Sequence, residues 1–366
     1  MRKSHETAST TVGVTGVHIA SAPKSGAVIL KELFSHHDIR CLALADYPQT
    51  CALGWDAPNL VGVHQVPQGI MGTGPFVSRL LEIHQETFLH IVIPCDDEDV
   101  AALAGGASEL ADYGIDTLLP MPNSVEAVKK ANFQKTLEKI GIHVPRQQTI
   151  WNLEELNEIS IGLPLIVKGR LIHAYLAQSY TEVRAFAAKL FDVWGGPVVL
   201  QEYIRGAEFS VTAVADRNSS LAGVCAIRKI GISEQGKTWM AVTVSPDAFI
   251  PFIECLFEEL HWIGPLEVEF IVNADDSSPV AIEINPRFPA WVPVARYAGA
   301  DLVKLVVEIC KGEASNTLIA EPGMCFARTY HTGIFAMERL AKLHTHQKYV
   351  VEHRGDCKNN DLDRKK

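Results

Sequence analysis

Two short stretches, PLEVEFIVN (265–273) and PVAIEIN (279–285), alternate apolar and polar residues around the turn-forming run 274–278. A period of two marks an extended strand, so the pair reads as an antiparallel hairpin. Glu267 and Glu269 then share one strand face, and Glu283 and Asn285 share a face of the partner strand. Continued one pleat further, AIEINPRFPAW (281–291) sets Glu283, Asn285 and Arg287 in a row. If the two faces meet, oxygens gather with little positive charge nearby except Arg287. Hard divalent cations such as Mg²⁺ take one or two carboxylates together with ligand phosphates. Acids on a hairpin ordinarily mean a solvated face. The Asn-Pro-Arg ending weakens that meaning, because Asn and Pro end a strand without any need for flanking acids.

The first third of the chain has a different rhythm. TVGVTGV (11–17), IRCLALA (39–45) and FLHIVIP (88–94) read as buried strands, and SGAVILKELF (25–34) and EDVAALAGGASEL (98–110) as helices. Such alternation implies a doubly wound parallel sheet, bounded near 120–122. Gly13 and Gly16 suit a tight strand-to-helix turn, but the third glycine of GxGxxG is missing, which argues against a nicotinamide site. DDEDV (96–100) is most simply a helix start, where acids are favoured by the dipole.

Further on, apolar positions 125, 128, 133, 137 and 140 give 123–145 a helical face that ends at Gly141 and Pro145. Strands are expected in 162–170, 170–178 and, as a pair around Arg205–Gly206, in 197–216; a helix is expected over 181–191. LAGVCAIRKI (221–230) and TWMAVTVS (238–245) flank a loop at 232–237, and helices are expected over 252–264 and 300–312. The polar end, from 354 on, should fray.

A net charge of −10 and a pI near 5.8 argue against a general nucleic-acid or anionic-membrane binder. The N-terminus has no apolar leader core, and no run approaches the roughly 18 apolar residues of a membrane span; a cytoplasmic protein is expected. Eight cysteines without a CxxC pair point to reduced thiols. No GxSxG nucleophile occurs, and His36–His37 and His344/His346 lack metal-type partners and read as solvated.

Two other stretches carry chemistry. Lys168 closes the apolar run LPLIV, as either a snorkelling surface lysine or a phosphate partner. QEYIRGAEF (201–209) is either an exposed linker or a hinge whose backbone reads an adenine edge, with Glu208 placed for ribose hydroxyls.

In this order, KKANFQKTLEKIGIHVP, PLIVKGR, VVLQEYIRGAEFSV and above all GPLEVEF…AIEINPRF resemble the ATP-grasp superfamily. The type is the carboxylate-amine ligase, related to carbamoyl-phosphate synthase large-subunit-like and D-alanine–D-alanine ligase-like enzymes. The resemblance runs from about 123 to 312. It implies an α/β fold, α+β within the grasp: a Rossmann-like N-terminal domain (1–122), a small lobe (123–206), a large lobe (207–335) and a C-terminal segment (336–366) with a disordered tail. Carried over by position, it makes Lys130, Lys168, Gln201, Glu202, Ile204 and Glu208 nucleotide-binding residues. Glu202 and Ile204 act through their backbone. Glu269, Glu283 and Asn285 become the Mg²⁺ ligands, with Glu267, one pleat away, as the alternative first ligand. Arg287 faces the transferred phosphoryl group and Lys237 adds positive charge. Arg296 and Trp291 are substrate candidates, the latter with Phe288 and Pro289 as an apolar wall.

One departure matters. Many members follow the strand lysine with a long Gly/Ser-rich loop, but KGRLIHAYLAQS holds only Gly169. Arg170, His173 or the basic residues Arg228, Lys229 and Lys237 would have to cover the phosphates. The implied reaction uses ATP and Mg²⁺, or Mn²⁺, to join a small carboxylate, an amino acid or short peptide, to an amine through an acyl phosphate. A homodimer is the default assembly. Bicarbonate activation of the carbamoyl-phosphate or carboxylase kind is the alternative within the superfamily, and a non-catalytic ATP-binding module the alternative outside it.

Overall fold

The computed structural model describes residues 9–19, 24–47, 49–142, 144–169, 174–233, 237–313, 316–329 and 332–351. It begins with β1 (Thr10–Val14), α1 (Ser25–Leu33), β2 (Ile39–Ala45), β3 (Leu60–Gln65), α2 (Thr73–Thr87), β4 (Ile91–Ile93) and α3 (Asp97–Asp112). The strands lie parallel in the order β3-β2-β1-β4, an order used by doubly wound sheets. Strand β2 explains why its sequence is apolar throughout. Cys41, Ala43 and Ala45 pack with Ile29, Leu30 and Leu33 of α1, while Leu42 and Leu44 pack with Phe76 and Leu80 of α2 on the other face. Both faces are covered, so no polar alternation survives.

The turn after β1 uses its glycines differently from one another. Gly16 adopts a φ of 64°, which favours glycine, and a Cβ on Gly26 would lie 1.8 Å from the Thr15 carbonyl oxygen. Glycine at 26 therefore lets α1 pack directly on that turn. Strand β3 and helix α2 escape the sequence pattern: the helix begins inside GTGP, and Pro75, tolerated in a first turn, disguises its start.

The segment 123–145 is not one helix. It forms α4 (Pro122–Ala127) and α5 (Phe133–Lys139), parted where the Asn132 side-chain amide donates to the Glu126 carbonyl. Next come β5 (Gln147–Ile150), β6 (Leu165–Lys168), β7 (Ala174–Ala177), α6 (Tyr180–Trp194) and β8 (Val198–Glu202). They make an antiparallel sheet, β5-β8-β6-β7, backed by α6 through Val183, Ala187 and Leu190. Ser179 caps α6 by accepting from the Glu182 amide.

The third sheet holds β9 (Gly206–Ala215), β10 (Leu221–Ile232), β11 (Thr238–Val244), β12 (Gly264–Asn273) and β13 (Pro279–Asn285), with α7 (Ile250–Leu260) inserted before β12. The expected helix 252–264 stops at Leu260 because His261 turns left-handed, with φ 47°. α8 (Pro293–Tyr297), α9 (Leu302–Cys310), β14 (Leu318–Ile319) and β15 (Cys325–Ala327) complete the layer, in the order β13-β12-β9-β10-β11-β15 with β14 beside β10. Val211, Ala213, Leu266, Val268 and Phe270 point toward α7, packing with Ile253, Leu256 and Phe257. The residues between them face the other way.

The segment from 336 is not all tail. α10 (Met337–His346) and β16 (Lys348–Val350) return to the first sheet, where β16 pairs antiparallel with β3; 352–366 lie outside the described residues. Every described cysteine is a free thiol. His36 is not solvated as expected, since its Nε2 lies 3.0 Å from Asp301 Oδ2. No helix among the described residues is long and apolar enough to cross a membrane.

Candidate functional site

Strand register assembles the site. Glu269 lies opposite Glu283 and Glu267 opposite Asn285 across the β12–β13 hairpin. On the other side of β12, Glu269 pairs with Ser210 of β9, and Ser210 pairs with Ile227 of β10. Counting by twos along each strand puts Glu267, Glu269, Glu283, Asn285, Glu208 and Lys229 on one face of the sheet. The same face is apolar farther along β10, where Cys225 and Ile227 share a core with Leu305 and Val306 of α9.

The hairpin is irregular at one point. Register passes from Glu269–Glu283 to Phe270–Ala281, leaving Ile282 as the extra residue of a β-bulge. The Ile282 carbonyl accepts from Lys168 Nζ at 3.2 Å and from Gln201 Nε2 at 3.4 Å. Strands β6 and β8 of the small sheet are thereby joined to the large one. A narrow cleft lies here, with apolar walls from Val128, Phe133, Val199 and Ile282 and with Lys130 and Lys168 at its polar side. Gln147 also lines it, a residue that no sequence pattern distinguishes.

Charge on this face is closely balanced. Lys130 Nζ is 3.4 Å from Glu283 Oε1. Burial alone would raise the Glu283 carboxyl, but Lys130, Lys168 and Lys237 outweigh it and hold the group at about 2. For Lys168, burial wins and its ammonium is pulled below the ordinary lysine range despite Glu283. Lys229 is reversed: burial opposes its charge, yet Glu269 and Glu208 raise it. Its Nζ stands 2.8 Å from Glu269 Oε2 and 3.2 Å from Glu208 Oε2. Lys229 sits inside β10, within the run 221–230 expected before the loop.

Glu267 has a different occupation. Its Oε1 accepts from Ser210 Oγ at 2.6 Å and Trp291 Nε1 at 2.8 Å, and its Oε2 from Asn285 Nδ2 at 3.1 Å. Burial and the nearby Glu269 push its pKa up. Glu267 is thus engaged in orienting Asn285, as Glu269 is engaged with Lys229. Trp291 is buried and donates to Glu267, so its indole serves that network instead of an open pocket wall. Arg287 lies beside Glu267, at 3.9 Å, and its Nε reaches Asp97 Oδ1 at 2.9 Å. DDEDV thus does more than start α3, because Asp97 ties the start of that helix to Arg287, just past β13.

The remaining candidates scatter. Glu202 directs its side chain to Arg146, Nε to Oε2 3.2 Å, which leaves its backbone as the expected contact. Ile204 lies in the 203–205 link between β8 and β9. Lys237 is exposed, and its charge is felt at Glu283. Arg296 is not brought to this face: its guanidinium pairs with Glu32 at 3.6 Å and Asp301 at 3.4 Å and donates to Ser35 Oγ. Those partners lie on α1, just after it and at the start of α9. Arg170 and His173 fall outside the described residues.

The donor set suits a hard cation. Glu269, Glu283 and Asn285 offer oxygen only, and acids directly opposite on neighbouring strands stand about 5 Å apart at Cβ. Among the described residues, no three acidic, histidine or cysteine side chains form a ready metal cage. A cation here would need oxygens from a ligand as well, as Mg²⁺ commonly does with nucleotide phosphates.

Comparison with known proteins agrees with this geometry. Residues 127–290 match the family model of the ATP-grasp domain. The carbamoyl phosphate synthase large chain of Saccharolobus islandicus is 28% identical over 294 residues, 72% of this chain and 25% of that one. The same enzyme chain of Thermoanaerobacter pseudethanolicus is 24% identical over 230 residues, 58% of this chain and 21% of that one. The chain thus spans about a quarter of the length of these curated relatives. Among solved structures, L-amino acid ligase from Bacillus licheniformis superposes with a TM-score of 0.62 at 16% identity, covering 82% of this chain and 74% of that one. N5-carboxyaminoimidazole ribonucleotide synthetase from Thermus thermophilus gives 0.61 at 16%, with 85% and 80% covered. At such identities the likeness establishes the fold alone.

Proposed function

Because residues 127–290 are an ATP-grasp domain, we propose that the chain is an ADP-forming ligase joining a small carboxylate, an amino acid or short peptide, to an amine. The observation that carries this reading is one sheet face: paired Glu269 and Glu283 beside Lys130 and Lys168, at the mouth of an apolar cleft. We assign residues 1–122 to an N-terminal substrate-side domain, 123–206 and 207–335 to the two lobes, and 336–366 to a C-terminal segment.

Phosphoryl transfer between anions needs charge neutralisation and in-line placement more than a protein nucleophile. The apolar cleft takes the adenine, Gln201 and the 202–204 backbone read its edge, and Glu208 takes the ribose. Lys130 and Lys168 neutralise phosphate oxygens. Glu269, Glu283 and Asn285 would hold Mg²⁺, which supplies Lewis-acid charge neutralisation at the phosphates when bound. Arg287, fixed between Asp97 and Glu267, faces the phosphoryl group as a substrate carboxylate takes it to form an acyl phosphate. The amine then attacks the carbonyl and phosphate leaves.

A second reading, motivated by the resemblance to the carbamoyl phosphate synthase large chain, is that bicarbonate is the acid activated. One assay separates the two: ADP release followed across amino acids, short peptides and bicarbonate. Release requiring both an organic carboxylate and an amine supports the ligase. Release with bicarbonate alone supports the second reading, and tight ATP binding without release under any condition would leave a non-catalytic module.

A further inference from the structure

Lys229 is a deeply buried charge on the face that carries Glu269 and Glu283. Its side chain is 2% exposed, against 39% for Glu208 and 24% for Glu269. It projects from β10 across β9 toward β12, so one ammonium spans three adjacent strands to reach both acids. A lysine buried this fully needs paired charge to offset its desolvation. Here both partners are acids that the ligase reading gives to the nucleotide: Glu208 to its ribose and Glu269 to its cation.

Resting on that reading, we infer that Lys229 is a positioning residue that makes divalent-cation binding conditional on nucleotide. Glu269 is a shared seat. A free cation gains its Oε2 only by displacing the ammonium, which must then rely on Glu208 alone. A cation arriving with a nucleotide brings anionic oxygens that compensate the displaced ammonium. The same lysine opposes ATP-free occupation of the site and links ribose recognition at Glu208 to the metal seat.

A merely structural ion triad would not give the following pattern. Mn²⁺ is titrated into the full chain and followed by electron paramagnetic resonance, with and without a non-hydrolysable ATP analogue. Lys229→Met should tighten nucleotide-free Mn²⁺ binding about tenfold, since a like charge a few ångströms away shifts carboxylate affinities by at least that factor. Glu208→Gln should move it in the opposite direction, because the ammonium is left with Glu269 alone. Lys229→Arg should keep the wild-type dependence on nucleotide. The inference is overturned if Lys229→Met binds nucleotide-free Mn²⁺ no tighter than wild type. If Lys229→Met does not fold, the Glu208→Gln titration decides: weaker Mn²⁺ binding supports the inference and unchanged binding overturns it. Glu283→Gln serves as the control. If it leaves Mn²⁺ binding with the analogue untouched, the metal reading itself falls and the inference with it, whereas a failure at Lys229 alone leaves that reading standing.

Discussion

Arg287 stands between two groups of acids, and one member of each shows electrostatics of opposite sense. On one side is the face of the large sheet, with Glu269 and Glu283; on the other is the rim of the first sheet at the start of α3, with Asp96, Asp97 and Asp99. Glu283 is held at about 2, because Lys130, Lys168 and Lys237 overcome its burial. Asp99, which accepts from Thr15 Oγ1 at 2.6 Å and the Gly69 amide at 3.2 Å, is pushed up to about 7 by burial, with Asp96 and Asp46 adding to the effect. Surrounding lysines keep one acid charged and ready to trade a lysine for another cation. Without them, the second is driven toward neutrality and can only brace the turn it touches. Burial does not decide which acid works; the company of lysines does.

The contrast can be broken at several points. Glu283→Gln should reduce ADP release by a factor on the order of 100 or more, while circular dichroism shows the fold retained. Unchanged turnover would remove the functional half of the comparison. Lys168→Ala should weaken ATP binding by about 1.5–3 kcal/mol, the range for hydrogen bonds to charged groups, read by titration calorimetry.

For Asp99 the expected effect is on stability. Its folded carboxyl retains a proton that the unfolded chain has lost above 3.8, so its contribution is fully present below about pH 4 and disappears as pH rises to about 7. The loss is at most about 4 kcal/mol. Asp99→Asn should therefore flatten denaturant midpoints between pH 4 and 8, and an unaltered profile would contradict the assigned shift. Glu283 works in the other sense: with its pKa lowered from 4.5 to about 2, it contributes stability above pH 4.5 that is lost as pH falls toward 2. The smallest effect is expected at Arg296, which is half-exposed and engaged with Glu32 and Asp301. Arg296→Ala should cost about 1 kcal/mol or less and leave the KM for each substrate within about twofold; a large rise in KM would return it to the site.

What could be read from the chain depended on whether the determining contact was local. The hairpin, β2 and the first helix were legible because alternation and apolar runs report burial directly. Helix α2 was hidden by GTGP, and β16 by a polar C-terminal context in which three residues gain meaning only from pairing with β3. The same division runs through the site. Glu269, Glu283 and Asn285 are placed by a pattern of two, so they fall together in space. The Ile282 bulge, the Arg287–Asp97 pair and the grip of Trp291 on Glu267 join residues from separate elements, and no spacing announces them. Lys229 was visible as a charge on a strand but not as a buried one, since a buried lysine and an exposed lysine look alike in sequence.

Joint binding of nucleotide and cation by the face that carries Glu269 and Glu283 is read by calorimetric titration of ATP with Mg²⁺ and with EDTA. Wild type should bind at least about tenfold tighter with Mg²⁺, and Glu283→Gln should lose that gain while keeping its EDTA affinity. Equal affinity in Mg²⁺ and EDTA for wild type, or a gain that survives Glu283→Gln, would contradict it.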